Sequence, residues 1–592
     1  MMDFLRQPGS VICRSPGTGR RWLAFGDPAA ILTARTPAEI VPLLAAIEQH
    51  LAAGRWVAGA LAYEAAAAFD PAHQVHAADA TTPLAWFGVY SRPQSFSLPP
   101  PGRCARPATF TPAIRREDYL DAVAQVKAYI HNGDIYQANL TFPALSSPIT
   151  DPAALFLTLL RDHPVPAAAW IHADGWQLAS LSPEIFLIQR DGEIRSLPMK
   201  GTARRELSAT DDRRAARALA HDPKNRAENV MITDMVRNDL GRVCMPGSIC
   251  VDPLCRVDTY ATVHQMISDV RGHVRPGVSL SNLLAATFPP ASITGAPKIR
   301  AMQVIRELEP FPRRFYTGMI GVFAPNGDLF LNVAIRTLLC LPDRVELGIG
   351  SGIVADSDPR AEWRECCLKS QFARHRPPEF DILETMLWKR DGGFSLLPEH
   401  LRRARNSQRH FGRPWRICEI RKSLAELADA LTREGHPLVR VRLLVDRDGP
   451  PRVEFQPLRQ AGWGRDRLKV RLAVRPTLST DLFLFHKTTH RRRYDDEFHA
   501  AMAAGFDEVL FRNERGEITE GAISNLFARL DGQWFTPPFR CGLLPGIWRA
   551  ATIRELRATE RVLMPADLDR ADEVIFGNSV RGSAPTGKFE HE

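Results

Sequence analysis

Apolar residues in the first ninety positions fall in short runs, with one helix-like stretch at Thr36–Ala53. From Arg116, apolar side chains at Tyr119, Val123, Val126 and Ile130 recur on one helical face, and Asn132-Gly133 ends the pattern. A second helix is predicted over Asp222–Leu240, with Asp222 as N-cap and Pro223 at the first helical position. Ala227, Val230, Met231, Ile232 and Met235 are its expected apolar side, and Glu228 borders it. A carboxylate there is costly to bury without a partner. Residues 315–354 read as three strands (FYTGMIGVFA, DLFLNVAIRTLLC, RVELGIGSGIV) joined by turns such as Asn326-Gly327. A helix opens at Asp358-Pro359 and carries Glu362 and Glu365 on one face.

Residues 91–112 are rich in proline and read as a connector. His375-Arg376-Pro377-Pro378 divides the chain, because the pattern restarts after it. A strand is expected at Phe380–Trp388, a basic helix at His400–Phe411, and strands at Val439–Val445 and Leu468–Val474. The chain therefore reads as α+β in two modules, 1–376 (with an N-terminal part over 1–90) and 377–592.

At 592 residues the chain is too long for one hydrophobic core. Its net charge of +9 comes more from arginine than lysine, which suits carboxylate or phosphate ligands. The basic runs at Arg402, Arg403 and Arg405 and at Arg491–Arg493 come with no nucleic-acid-binding motif, so small anions explain the bias better. The ten cysteines show neither C-x-x-C pairs nor zinc spacing and read as reduced thiols of a cytoplasmic protein. Met1–Pro8 lacks the apolar core of a signal peptide, and Tyr63 and Glu64 interrupt the apolar run Ala58–Phe69, so a soluble protein is expected.

Two lysines stand out. Lys200 ends a strand-like run in Leu197-Pro198-Met199-Lys200-Gly201-Thr202-Ala203-Arg204-Arg205, with Glu184 upstream and Glu228, Glu362 and Glu365 downstream. An amine with separated carboxylates suggests Mg²⁺-assisted chemistry on an anionic small molecule. Alone, Lys200 would read as a surface residue, and Glu365 as a partner for Lys369 at i+4. Gly348-Ile349-Gly350-Ser351-Gly352 reads as a tight turn that lets backbone N–H groups approach an anion. Lys487 is expected on a strand whose alternation groups it with Phe483 and Phe485, where desolvation would favour a Schiff-base role. A basic strand end is the competing reading, since His490-Arg491-Arg492-Arg493 follows. Glu520 lies downstream, as an acid facing a pyridinium nitrogen would.

The runs GDIYQANL, SPEIFL, MKGTARR, DPKNRAENVMITDMVRNDLGRV, TVHQM, SITGAPKIRAM, FYTGMIG, NVAIRT and GIGSGIVADSDPRAEWRE span residues from about 115 to 373. In that order they closely resemble the chorismate-binding enzymes, which include anthranilate, isochorismate and aminodeoxychorismate synthases. The resemblance implies large, mainly antiparallel sheets around a chorismate cleft. Lysine before Gly-Thr marks the aminodeoxychorismate branch, where alanine is usual in the others, and implies that Lys200 is a nucleophile. It further implies Glu184 as general acid/base, Glu228, Glu362 and Glu365 as Mg²⁺ ligands, and Arg336, Tyr316, Lys369, Gly350 and Gly352 around the chorismate carboxylates. His264 and Thr294 match further active-site positions. Pro290-Ala291-Ser292 departs from the family, which usually has two glycines before the serine. No Gly-x-Cys-x-Gly glutaminase turn is found, so ammonia is expected from a separate glutamine amidotransferase subunit or from solution.

Residues 380–582 resemble the two-lobed fold-type IV pyridoxal-phosphate enzymes, through His400-x-x-Arg403 with Ser407, the Lys487 segment, TEGAISNLF, LLPGIWR and GNSVRG. The resemblance implies that Lys487 carries the cofactor, that Glu520 meets its pyridine nitrogen, and that Arg403, Ile547 (backbone) and Ser579 hold its phosphate. It also implies a dimer through this half. Ala404 stands where leucine usually follows the arginine, and Tyr494 lies seven residues after the lysine. Branched-chain transaminases have five there, so the spacing argues against a transaminase more than against a lyase. Together the two resemblances imply synthesis of p-aminobenzoate. The alternative is an anthranilate-type synthase fused to a transaminase-like domain.

Overall fold

The structure, a computed structural model, describes residues 2–14, 21–98, 109–260, 263–374 and 378–587. The chain separates into two compact units, one of Met1–Arg204 with Ala216–Pro377, the other of Arg205–Ala215 with Pro378–Glu592. Of the expected connector over 91–112, residues 99–108 lie outside the described residues, as do 375–377 at the expected boundary, while Gln94–Phe96 and Thr111–Pro112 are short strands that pair into a sheet.

The first unit is built on a ten-stranded and a nine-stranded sheet, both antiparallel. One hydrophobic cluster draws side chains from both, with Val11, Ile171 and Leu178 from one and Val57, Phe87 and Ile320 from the other. A second cluster covers the opposite face of the ten-stranded sheet with the helices Arg116–His131, Pro152–Asp162 and Lys298–Leu308. In that sheet, strand Val345–Ile353 pairs with Gln137–Ser146 from Val345↔Ser146 to Ile353↔Ala138. A smaller three-stranded sheet holds Met199–Arg204, Val263–Ile267 and Arg256–Thr259.

Three sequence expectations need correction here. Residues 315–354 form four strands, Met319–Phe323, Leu329–Val333, Thr337–Cys340 and Val345–Ile353. The chain breaks before Thr337 because it leaves the nine-stranded sheet and enters the ten-stranded one, and Arg336 takes a left-handed φ of 48° at the crossing. Gly348–Gly352 forms no tight turn: all five residues lie inside the last strand, as the run RVELGIGSGIV that contains them suggests. Helix Pro223–Gly241 forms as predicted, with the Asp222 carboxylate accepting from Asn225 N–H at 2.8 Å, but its buried face is Asn229, Ile232, Thr233, Val236, Asp239 and Leu240. Ala227 is exposed, whereas Asn229 and Thr233 can be buried because each has internal partners.

The second unit contains four-, three- and five-stranded sheets. Strands Ile382–Lys389 and Leu438–Val445 pair along eight positions. Helix Ile417–Arg433 buries Ile420, Leu424, Leu427 and Leu431 at helical spacing, in one cluster with Val439 and Val441. A separate cluster packs Leu526, Ala528, Val574 and Phe576 of the five-stranded sheet. Lys487 is not on a strand. Asp481 caps a short 3-10 turn, Leu482–Leu484, by accepting from Phe483 N–H, which breaks the alternation that Phe483 and Phe485 suggest. The segment then runs beside strand Ile382–Lys389, where the Lys487 carbonyl accepts from Leu383 N–H at 2.9 Å. Among the described residues no helix is long and apolar enough to cross a membrane.

Candidate active sites

In the first unit Lys200 is half-buried, on a strand tied to helix Pro223–Gly241 by the bond from Asn229 Nδ2 to the Lys200 carbonyl. Burial lowers its pKa and the Lys369 charge adds to this, while Glu228, Glu184 and Glu365 oppose it. The amine donates to Asn139 Oδ1 at 3.3 Å. Glu184 is buried and pushed up to about 7 by burial, against a hydrogen bond from Ser292 and the nearby Lys200 charge. A buried acid of that strength can hold a proton near neutral pH and deliver it.

The three glycines of strand Val345–Ile353 alternate and so share one face. A Cβ at Gly352 would stand 2.7 Å from Lys200 Nζ and 2.8 Å from Asn139 Oδ1, and one at Gly348 would press into the Tyr316 ring. They keep this face open for the lysine and the tyrosine, instead of forming the expected turn. Lys369 joins the same edge, with Glu365 at 2.8 Å and its amine donating to the Gly350 carbonyl at 2.9 Å.

The remaining expected residues are placed less uniformly. Glu228 is half-buried, its pKa raised by burial and by the charge of Glu362, while Glu365 is exposed and paired with Lys369. Among the described residues no three His, Cys, Asp or Glu side chains are already gathered as a metal cage. Carboxylate oxygens such as those of Glu228 and Glu362 are the donors Mg²⁺ takes, and the Glu362 charge reaches Glu228. Arg336 has its pKa lowered by burial beside Tyr260, and Tyr260 in turn feels the charge of Glu184. His264 is buried opposite Ala203, its Nδ1 3.0 Å from Thr259 Oγ1. Thr294 turns its hydroxyl back to the Ala291 carbonyl at 3.2 Å.

Three residues here were not singled out from the sequence. Asn139 and Ser292 touch the amine and the acid. Gln137 is fully buried near Gly352, and its amide has no hydrogen-bond partner among the described residues. Gln137 and Asn139 stand in the GDIYQANL run, but only strand pairing brings them to Lys200.

In the second unit Lys487 is half-buried and its pKa falls to about 7 through burial and the charges of Arg491 and Arg403, opposed by Glu384 and Glu520. Glu520 is buried and pushed up to about 8 by burial. Tyr494 Oη donates to it at 3.3 Å and Asn525 Nδ2 at 3.1 Å. Arg403 grips the buried Glu384 with two bonds, at 2.9 and 2.6 Å, and also donates to the Pro545 carbonyl at 3.3 Å. His400 lies 2.7 Å from the same carboxylate, which these partners hold down to about 2 despite burial. Glu384 was missed in the sequence because it sits in an apolar strand whose register fixes its partners. Ser407 Oγ lies 2.9 Å from His486 Nδ1.

Two residues after Pro545, helix Ile547–Glu555 begins, with its first N–H groups unclaimed by helical bonds. Gly577, two residues before Ser579, packs against Trp548 of that helix, so Ser579 stands near its N-terminus. A weakly basic amine, a buried acid that an adjacent cation would ionise, and an arginine beside a helix N-terminus fit an aldehyde cofactor with a pyridine ring and a phosphate.

Residues 94–375 match the family described as chorismate binding enzyme, and residues 381–588 match amino-transferase class IV. Over 297 residues the chain is 38% identical to aminodeoxychorismate synthase component 1 of Klebsiella aerogenes, a match covering 50% of this chain and 64% of that protein. It is 41% identical over 265 residues to anthranilate synthase component 1 1 of Haloarcula marismortui, covering 45% and 54% of the two chains. A solved anthranilate synthase component I from Streptococcus pneumoniae shares the fold, with a TM-score of 0.52 at 24% identity over 62% of this chain and 91% of that one. The chain thus spans less than two thirds of the length of these curated relatives. The polypeptide is a fusion of a chorismate-binding enzyme domain with a class IV aminotransferase domain. The second domain implies pyridoxal phosphate as cofactor.

Proposed function

We propose that the chain makes p-aminobenzoate in two steps, converting chorismate and ammonia to 4-amino-4-deoxychorismate and then eliminating pyruvate. The observation that carries this reading is Lys200, a half-buried amine weakened by burial, beside an acid held near neutrality. Overall identity does not separate the branches, since the aminodeoxychorismate and anthranilate relatives are 38% and 41% identical. The lysine does, because it offers a nucleophile that alanine cannot.

In the first step the neutral Lys200 amine attacks carbon 2 of chorismate and the 4-hydroxyl departs with a proton from Glu184, leaving as water. Ammonia then attacks carbon 4 and the lysine is released. Arg336, Tyr316 and Lys369 would hold the carboxylates, with His264 and Thr294 lining the site. Glu228 and Glu362 would hold Mg²⁺, with Glu365 joining when its pairing with Lys369 opens, and the ion would neutralise the ring carboxylate. Ammonia would come from a separate glutamine amidotransferase.

In the second step bound pyridoxal phosphate supplies an electron sink. Lys487 would hold the cofactor and carry the carbon 4 proton, and Glu520 would face the pyridine nitrogen. Arg403, the Ile547 N–H and Ser579 would hold the phosphate. Loss of the enolpyruvyl group as pyruvate makes the ring aromatic. A cytoplasmic homodimer, joined through the second unit, completes the proposal.

The test is a product analysis of the full chain given chorismate, Mg²⁺, ammonium and pyridoxal phosphate. p-Aminobenzoate with stoichiometric pyruvate is expected. Accumulated aminodeoxychorismate would remove the lyase assignment, and anthranilate would favour the anthranilate-type alternative.

A further inference from the structure

We propose that Asn139 is the positioning residue that holds the attacking amine of Lys200 and the proton donor Glu184 in fixed register. The inference rests on the synthase reading above. One side-chain amide serves both groups. Its Oδ1 accepts from Lys200 Nζ at 3.3 Å, and its Nδ2 donates to the Ser292 carbonyl at 2.6 Å. Ser292 in turn hydrogen-bonds the buried Glu184 carboxyl through its side chain. The Asn139 backbone is pinned on both sides, its N–H donating to the Thr294 carbonyl at 2.7 Å and its carbonyl accepting from Arg313 at 2.8 Å. The same guanidinium donates to the Ile293 carbonyl at 3.0 Å, so strand and loop are stapled together behind the site.

The chemistry explains why an amide stands there. An amine that donates one N–H to a fixed carbonyl has its lone pair turned away from that carbonyl, so its direction of attack is set before substrate arrives. The acceptor is neutral, so it orients the amine without holding it protonated, as a carboxylate would. The opposite end of the amide fixes the loop that carries the hydroxyl on Glu184. Lys200 also feels the charges of Glu228, Lys369, Glu184 and Glu365, and of these Glu184 is the one that also meets the Ser292 side chain.

The test compares Asn139→Ala, the isosteric Asn139→Asp and Lys200→Ala in the full chain, each checked for folding by circular dichroism and melting temperature. Asn139→Ala should lower kcat of the synthase step about 10²-fold with KM for chorismate nearly unchanged, the loss expected of a misdirected nucleophile. Asn139→Asp keeps an acceptor but adds charge, so the rise of kcat with pH should move at least about one pH unit to the alkaline side. Loss of kcat in Asn139→Asp with an unmoved profile would make Asn139 merely structural and overturn the inference, as would wild-type kcat in either variant. Should Asn139→Ala fail to fold, the Asn139→Asp profile alone decides. If Lys200→Ala keeps its synthase turnover, the nucleophile reading itself fails. If only Lys200→Ala is inactive, that reading stands and the role of Asn139 falls.

Discussion

Lys200 and Lys487 are both half-buried amines weakened chiefly by burial, yet their surroundings differ in charge. Carboxylates outnumber cations around Lys200, where Glu228, Glu184 and Glu365 oppose Lys369. Around Lys487 two arginines work with burial, Arg403 and Arg491, against Glu384 and Glu520, and the amine falls to about 7. The first arrangement suits a lysine that must remain beside groups able to take a cation. The second suits a lysine whose neutral form must dominate when a carbonyl arrives. Burial weakens both, while the largest neighbouring charge opposes it at Lys200 and reinforces it at Lys487.

The sharpest way to break this comparison is to remove each amine. Lys200→Ala should lower chorismate turnover by about 10³-fold or more while the same protein still converts supplied aminodeoxychorismate. Lys487→Ala should do the reverse, accumulating aminodeoxychorismate and losing the visible absorbance of bound pyridoxal phosphate. Either variant abolishing both steps would mean that the two sites are not separable. Unchanged chorismate turnover in Lys200→Ala would remove the nucleophile assignment.

A smaller effect separates the two by pH. Glu184 is an acid at about 7 that must be protonated to donate, so the synthase kcat, which rises with pH as Lys200 loses its proton, should bend over and fall as pH rises through about 7. Lys487, also at about 7, must lose its proton to attack, so the rate at which the apoprotein takes up pyridoxal phosphate should rise through the same range and then level off. An ordinary lysine would give a rate still climbing about tenfold per pH unit toward 10. Stopped-flow absorbance on apoprotein reads this without any turnover. A climb persisting above pH 9 would show that Lys487 is not perturbed as stated.

The elements that position these groups were unequally legible in the sequence. Helix Pro223–Gly241 was readable because its cap is local: Asp222 and Pro223 specify a start wherever the helix packs. Its buried face was not, because Asn229 and Thr233 are admitted to the interior by partners on other elements. The Lys487 segment misled because Phe483 and Phe485 imitate a strand, whereas one cap from Asp481 coils the chain there. The crossing at Arg336 depends on where two sheets end, which no local run of residues encodes. Lys200, Glu184, Lys487 and Glu520 were identifiable through the runs of residues that surround them, since Lys200 alone would read as a surface residue. Asn139, Ser292 and Glu384 act only through contacts distant in sequence, and those appear once the register is known.

The gentlest probe uses a glycine in each unit. Gly352→Ala keeps a backbone conformation that alanine adopts freely, and its methyl would stand 2.7 Å from Lys200 Nζ and 2.8 Å from Asn139 Oδ1. The lysine is the flexible end of a long side chain, so the protein should fold and the amine should be displaced. A kcat loss of about ten- to a hundredfold in the synthase step follows from such a misplacement, with the lyase step unaffected. Gly546→Ala is the counterpart, its methyl overlapping Asn525 Oδ1. Asn525 would have to turn, releasing the 3.1 Å bond it makes to Glu520, so the lyase step should suffer and the synthase step should not. The second variant should be the more damaging at its own site, because a short buried amide has less room to yield than a lysine tip. Equal losses in both steps from either variant would mean that the glycines serve folding in general, whereas the crossed pattern would confirm that each keeps its own site clear.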